Sequence, residues 1–315
     1  MFIGDPMLSI QREVPLAPFS TFHIGGPADF FAAVTTVTEL IEALEYAEKN
    51  QLKTFVFSGG SNLLIADQGF RGLVIRIANT AFRITETDIL ADAGTPLFHI
   101  VQSAAEQGLA GMERLAGIPG SFGGALRGNA GAFGTEIRES VISVKVYDRQ
   151  ASSLREFSPQ QCAWGYRTSY FKTHPELVIL SAQLRLVMGD THELMRIVRE
   201  TIATREAKHP QQVQCAGSFF MNPEVTDEKL RSEFAQDTGK TPKDNRLPAG
   251  WLIDQVGLRG TLIGGAQVSL LHPNYIINTG TATAEDVLML VSIIKQRVRT
   301  ELGVQLREEV QFVGF

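Results

Sequence analysis

Cysteine is scarce in this chain: two thiols, Cys162 and Cys215, in 315 residues. Two cysteines make no disulfide framework and no metal-ligand spacing, so neither a stapled scaffold nor a bound metal is expected. Both read as buried thiols rather than reactive groups. Long apolar runs are missing too, and no stretch approaches the roughly 20 residues that span a bilayer. Residues 1–11 lack the charged and apolar regions of a signal peptide. A reducing cytoplasm is therefore the expected compartment. There is no long basic run and the net charge is −5, which argues against a nucleic-acid partner. Internal repeats and low-complexity segments are absent. No G-x-G-x-x-G occurs, so a Rossmann dinucleotide site is not the reading.

What is there is the composition of a globular enzyme, with 44% hydrophobic and 20% charged residues and length for two or three domains. Strands are expected over residues 29–34, 54–57, 72–77, 89–94, 141–147, 177–186, 275–278 and 304–306. Thr36 opens a helix with Glu39 three residues on, and Thr283 opens another with Asp286, two capping-box signatures. Further helices are expected over 96–107, 191–209 and 249–256, the first and last of them closed by Gly108 and Gly257. The polar, proline-containing stretch 237–247 reads as a loop.

Glycine is concentrated where chemistry is expected. Ser58-Gly59-Gly60-Ser61-Asn62-Leu63 follows a strand, and such turns aim successive backbone N–H groups outward as an anion nest. A plain tight connection is the alternative. Gly117-Ile118-Pro119-Gly120-Ser121-Phe122-Gly123-Gly124 and Asn129-Ala130-Gly131-Ala132-Phe133-Gly134 together hold six glycines. Glycine weakens regular structure, so backbone drawn close to a flat or charged ligand explains them better. In Trp164-Gly165-Tyr166-Arg167, the arginine stacks on a ring or holds a carboxylate. In Gly217-Ser218-Phe219-Phe220-Met221-Asn222-Pro223, a small-residue turn closed by Asn222-Pro223 presents one hydroxyl beside two rings. That hydroxyl either belongs to a plain loop or gives a proton to carbon.

Taken in order, these segments resemble the UDP-N-acetylenolpyruvoylglucosamine reductase family, FAD-dependent enzymes of bacterial peptidoglycan precursor synthesis. The likeness runs over residues 21–314. It rests on Thr21-Phe22-His23-Ile24-Gly25-Gly26-Pro27, on both glycine segments, on Tyr166-Arg167-Thr168-Ser169, on Gly217-Ser218-Phe219-Phe220 and on Glu309-Val310-Gln311-Phe312-Val313-Gly314. The resemblance implies catalytic Arg167, Ser218 and Glu309. It implies FAD on Ser58, Gly59, Gly60, Ser61, Asn62 and Leu63, and on Gly117, Ile118, Pro119, Gly120, Ser121, Gly123, Gly124, Asn129, Ala130 and Gly131. Tyr166, Lys208 and Asn222 match positions that hold the nucleotide sugar. The implied reaction has two halves: NADPH reduces FAD, and FAD then reduces UDP-N-acetylglucosamine enolpyruvate to UDP-N-acetylmuramate. Arg167 forks onto the substrate carboxylate, Ser218 protonates carbon, and Glu309 helps if burial keeps it protonated.

The implied architecture is α+β with three lobes. Residues 1–77 and 78–188 form an FAD-binding domain of the PCMH/VAO type, 189–302 bind substrate, and 303–315 return as a tail. The short segment between Arg167 and Ser218 matches the subtype without an extra tyrosine loop. Three positions depart from the family pattern: His23 stands where arginine is common, Leu126-Arg127-Gly128 where bulkier apolar residues are usual, and Glu308 where proline is frequent. The resemblance selects Glu309, by its position before Val310, as the catalytic glutamate, and alternation along a strand makes Glu308 its exposed neighbour. The partners are small molecules, with no membrane and no nucleic acid. The sequence does not give the oligomeric state, and a monomer is the default expectation. A flavin oxidase, or a nucleotide-sugar-binding module without redox chemistry, are the rival readings. The Ser218 and Glu309 segments speak against the first, and bound flavin would rule out the second.

Overall fold

A computed structural model describes residues 8–208 and 213–315. His209 and Pro210, at the end of the expected 191–209 helix, lie outside the described residues, as do residues 1–7. The chain is α+β and forms two compact units. The first comprises residues 1–14, 28–60 and 71–206, and the second 15–27, 61–70 and 207–315.

The first unit carries a five-stranded antiparallel sheet ordered Ser153–Phe157, Val141–Asp148, Leu177–Arg185, Asp88–Asp92, Phe82–Thr85. Residues 177–180 are buried at every position, and beyond them burial alternates, as one covered and one open face require. A four-stranded sheet runs Gln11–Pro15, Pro27–Val34, Phe70–Ile77, Thr54–Phe57, with the last pair parallel. The helices are α1 (Val37–Lys49), α2 (Leu97–Glu106), α3 (Phe122–Gly128), the single turn α4 (Tyr170–Thr173) and α5 (Thr191–Lys208). Thr36 and Glu39 close a reciprocal capping box on α1, which buries Leu40, Ala43, Leu44 and Ala47 on one face. Cys162 is fully buried in this core, and burial pushes its thiol up to about 12, so it stays protonated.

In the second unit an antiparallel sheet is ordered Gln214–Ser218, Tyr275–Asn278, Ala266–Val268, Leu262–Ile263. Leu63–Ile65 pairs in parallel with Gln311–Val313. Helices α6 (Glu228–Thr238), α7 (Ala249–Gln255) and α8 (Ala284–Leu302) complete it. The capping box at Thr283 and Asp286 starts α8, and both Asp67 carboxylate oxygens accept N–H groups of its first turn, from Ala284 and Glu285. Asp67 thereby fixes the loop after Leu63–Ile65 to a helix end that favours negative charge.

Three sequence expectations are corrected. Helix α6 runs through Asp237 and Thr238, so the polar loop starts only at Gly239, whose left-handed φ of 67° ends the helix. Its apolar stripe is just Leu230 and Phe234, too thin to stand out as a period. Residues 304–306 form no strand. Val304 and Leu306 are buried and Gln305 is exposed, so alternate burial is present without a ladder partner. Pairing begins later, at an isolated bridge between Glu308 and Phe220. Ser218 lies not on a turn but at the end of the edge strand Gln214–Ser218.

Candidate active site

In the second unit, Ser218 and Glu309 are brought together by backbone pairing. The register slips between Cys215 and Ser218, and Gly217 takes a φ of 75° there. A bulge with a left-handed glycine re-aims the residue that follows it, here a half-buried serine. Phe219 and Phe220 are each only 1% exposed and anchor the next two positions in the core. The Phe219 carbonyl accepts the Glu309 N–H at 2.8 Å. Asn62 Nδ2 donates to the Glu309 carbonyl at 3.0 Å, and the Asn62 carbonyl accepts Gln311 N–H at 3.0 Å. The glycine-rich loop, the serine strand and the glutamate tail thus share one hydrogen-bonded seam. Burial raises the Cys215 thiol above its ordinary value, which disfavours the thiolate.

The expectation that Glu308 is an exposed neighbour is also corrected. Glu308 is half-buried, and Lys295 Nζ of α8 lies 2.6 Å from its Oε1. Asn222, expected at the substrate, accepts Ala249 N–H at the start of α7 on its Oδ1. Lys208 is exposed at the last position of α5.

Asn274, not singled out in the sequence, holds the backbone that follows Ser218. It is 3% exposed, its Oδ1 accepts Phe220 N–H at 2.9 Å, its Nδ2 donates to the Phe220 carbonyl at 2.8 Å, and its own carbonyl accepts Phe219 N–H. It clamps the two residues after Ser218. The signal was an asparagine just ahead of a short apolar strand. Asn274→Leu strands two buried backbone groups at about 1–3 kcal/mol each. It is expected to lose at least about 2 kcal/mol in a urea titration, whereas an unchanged midpoint would show that the clamp carries no stability.

In the first unit, the other candidates surround Asn129. Residues 120–123 are sewn to 93–97 by Leu97 N–H to the Gly120 carbonyl, Phe122 N–H to Thr95 and Gly123 N–H to Ala93. Ser121 caps α3 through Gly124 N–H. The loop at Gly59 packs on this segment, where an added Cβ would meet Ser121 N at 2.9 Å and Gly120 Cα at 3.1 Å. Ser58 Oγ is taken by the Ile77 carbonyl. Asn129 is fully buried with a left-handed φ of 45°. Its Nδ2 donates to Glu136 Oε2 and to the Gly165 carbonyl, and its Oδ1 has no partner among the described residues.

Gly165 and Thr168 exchange backbone hydrogen bonds of 3.1 and 3.3 Å, making Tyr166 and Arg167 the tip of a tight hairpin. Arg167 sits at a φ of 54°, a region few side chains adopt without strain. Its Nη2 donates to the Gly131 carbonyl at 3.1 Å, its Cζ lies 5.2 Å from the Tyr166 ring centroid, and Lys172 Nζ holds its carbonyl. Burial lowers the Arg127 guanidinium from its ordinary value, yet an arginine remains a cation.

Among known proteins, residues 209–313 match the family described as UDP-N-acetylenolpyruvoylglucosamine reductase, C-terminal domain, and residues 28–156 match the FAD binding domain family. A UDP-N-acetylenolpyruvoylglucosamine reductase from Solibacter usitatus is 38% identical, over 99% of each chain. One from a Synechococcus species is 38% identical over 97% of this chain and 94% of its own. The crystal structure of UDP-N-acetylenolpyruvylglucosamine reductase from Thermus caldophilus is 32% identical, covers 98% of this chain and 100% of its own, and superimposes with a TM-score of 0.77. Identity of 38% over 99% of each chain, with a matching fold over 98% of this one, leaves one assignment: the chain belongs to the UDP-N-acetylenolpyruvoylglucosamine reductase family.

Proposed function

We propose that the chain reduces UDP-N-acetylglucosamine enolpyruvate to UDP-N-acetylmuramate in peptidoglycan precursor synthesis, with FAD as resident cofactor and NADPH as electron source. The observation that carries the reading is the Phe219–Glu309 backbone bond, which sets a hydroxyl and a carboxylate on adjoining segments tied to Asn62.

The residues present fit a flavin. Asn129 Oδ1 is a buried acceptor without a donor among the described residues, and a flavin supplies N–H and O–H donors. The tight meeting of Gly59 with Ser121 is the bare backbone that a pyrophosphate needs. Gly59, Gly60, Ser61 and Asn62 would hold the pyrophosphate, and Gly117–Gly120 with Asn129–Gly131 the remainder. Bound FAD would accept a hydride from the reduced nicotinamide and supply a hydride to the terminal carbon of the substrate's vinyl group. Arg167 forks onto the enolpyruvyl carboxylate and stabilises the charge that develops there. Ser218 Oγ–H gives its proton to the carbon beside that carboxylate. Glu309 in its acid form donates to the same charge, while Glu308 is occupied by Lys295. Tyr166, Lys208 and Asn222 contact the nucleotide sugar. The work takes place in the cytoplasm, on a protein whose described residues include no helix long and apolar enough to cross a membrane.

Stopped-flow absorbance tests the reading: NADPH should bleach the flavin and the enolpyruvyl sugar should restore it. Reoxidation by oxygen alone, with no response to the sugar, would overturn the reading in favour of an oxidase. The cofactor assignment has its own test. Gly59→Val forces a branched side chain onto Ser121 N and is expected to purify depleted in FAD. Wild-type flavin absorbance in that variant would remove the loop from the cofactor site.

A further inference from the structure

We propose that the Lys295–Glu308 ion pair is a positioning device that aims the Glu309 carboxylate. The inference rests on the catalytic reading of Glu309 given above. The backbone fixes the tail on either side of Glu308 and leaves Glu308 itself to its side chain. Met221 N–H donates to the Arg307 carbonyl at 2.9 Å, and Glu309 N–H donates to the Phe219 carbonyl at 2.8 Å. These two bonds flank the Phe220–Glu308 bridge. In an antiparallel pair the residue between such bonds turns its own N–H away from the ladder.

The side chain fills that gap. Lys295 projects from α8, which is rooted in the core by Val291, Ile294 and Val298, and its Nζ meets Glu308 Oε1 at 2.6 Å. Neighbours on an extended segment face opposite sides. Holding Glu308 against α8 therefore turns Glu309 away from it, to the side of Phe219, whose carbonyl takes the Glu309 N–H. The pair borders a groove of about 610 Å³ lined in part by Ser292, Gln296, Arg299 and Gln305, and its side chains are 32% and 24% exposed. A pair this open to water adds little to global stability. Direction explains its place on the tail better than stability does. Misplacing a reacting group by an ångström or so costs far more in rate than such a pair is worth in folding.

Lys295→Ala is expected to slow sugar-driven flavin reoxidation about tenfold. KM for the sugar, bleaching by NADPH, FAD content and melting temperature should stay close to wild type. Amide hydrogen exchange over residues 307–310 should rise in parallel, and Lys295→Arg, which keeps the pair, should restore both readouts. Glu308→Ala should behave like Lys295→Ala. Glu308→Pro needs no N–H and fixes φ near about −65°, so it should restore reoxidation and make it indifferent to Lys295→Ala. Wild-type reoxidation and exchange in Lys295→Ala, or a loss shared equally by both half-reactions, would overturn the proposal. Glu309→Ala separates the two readings. If it is inactive while Lys295→Ala is normal, only the positioning role falls. If Glu309→Ala turns over normally, the catalytic reading falls and takes the positioning role with it.

Discussion

Arg167→Lys is expected to cut turnover with the enolpyruvyl sugar by about 10²-fold or more, the range for losing one preorganised donor to developing charge, with FAD still bound. The substitution keeps the positive charge and removes the planar fork. It also leaves the backbone cost unchanged, because lysine is as strained as arginine at the φ of 54° that the Gly165–Thr168 hairpin imposes. What changes is the donor set. Arg167 donates an N–H to the Gly131 carbonyl, and a guanidinium presents its N–H groups in a fixed planar fork. A lysine ammonium has three N–H groups on a single atom and no planar fork, so it cannot grip a carboxylate at two points. A strained residue at a hairpin tip, buttressed by Tyr166, Gly131 and Lys172, is a feature more readily explained by function than by packing. Steady-state kcat and KM, with flavin content as the control, decide it. Unchanged turnover would reduce Arg167 to a ring-stacked surface cation.

The parts of the fold legible in the sequence are those that depend on residues close in the chain. Thr36 with Glu39 and Thr283 with Asp286 sit three apart, and both close reciprocal capping boxes. Part of the glycine crowding was legible as well, because a residue without a Cβ leaves room for close approach, though Gly128 and Gly134 have open space beside them. Gly59 against Ser121 and Gly123 against Ala93 are such approaches.

What stayed hidden depends on distant partners. Ser218 reads as part of a turn because its neighbours are small, yet its strand is completed by Tyr275–Asn278, far along the chain. Residues 304–306 alternate in burial like a strand but have no ladder, and the pairing that matters starts at Glu308. Helix α6 carries two buried residues in eleven, so its cap at Asp227 and its closing Gly239 were the better signals. Within the candidate site, residue types with chemistry of their own were named from sequence. Asn274 and Lys295 were not, since each works only by holding another segment: one a backbone, the other a carboxylate.

Ser218→Ala is expected to leave NADPH-driven flavin bleaching close to normal and to slow reoxidation by the enolpyruvyl sugar about 10²-fold or more, the range for losing a positioned general acid. The separation follows from where a proton is needed. Bleaching by NADPH delivers no proton to substrate carbon, whereas reduction of the vinyl group does. The structure makes the substitution clean. Ser218 is half-buried at the end of an edge strand, its backbone path is set by the Gly217 bulge, and the following residues are locked by Phe219, Phe220 and Asn274. Removing one oxygen there should barely move the melting temperature, so a rate change reports on the hydroxyl. Ser218→Cys offers a thiol at the same place and should retain part of the activity, which a purely structural hydroxyl would not predict. The deciding measurement is the two rates taken separately on FAD-loaded protein. Equal slowing of both, or of neither, would return Ser218 to the role of a strand-end residue beside two core aromatics.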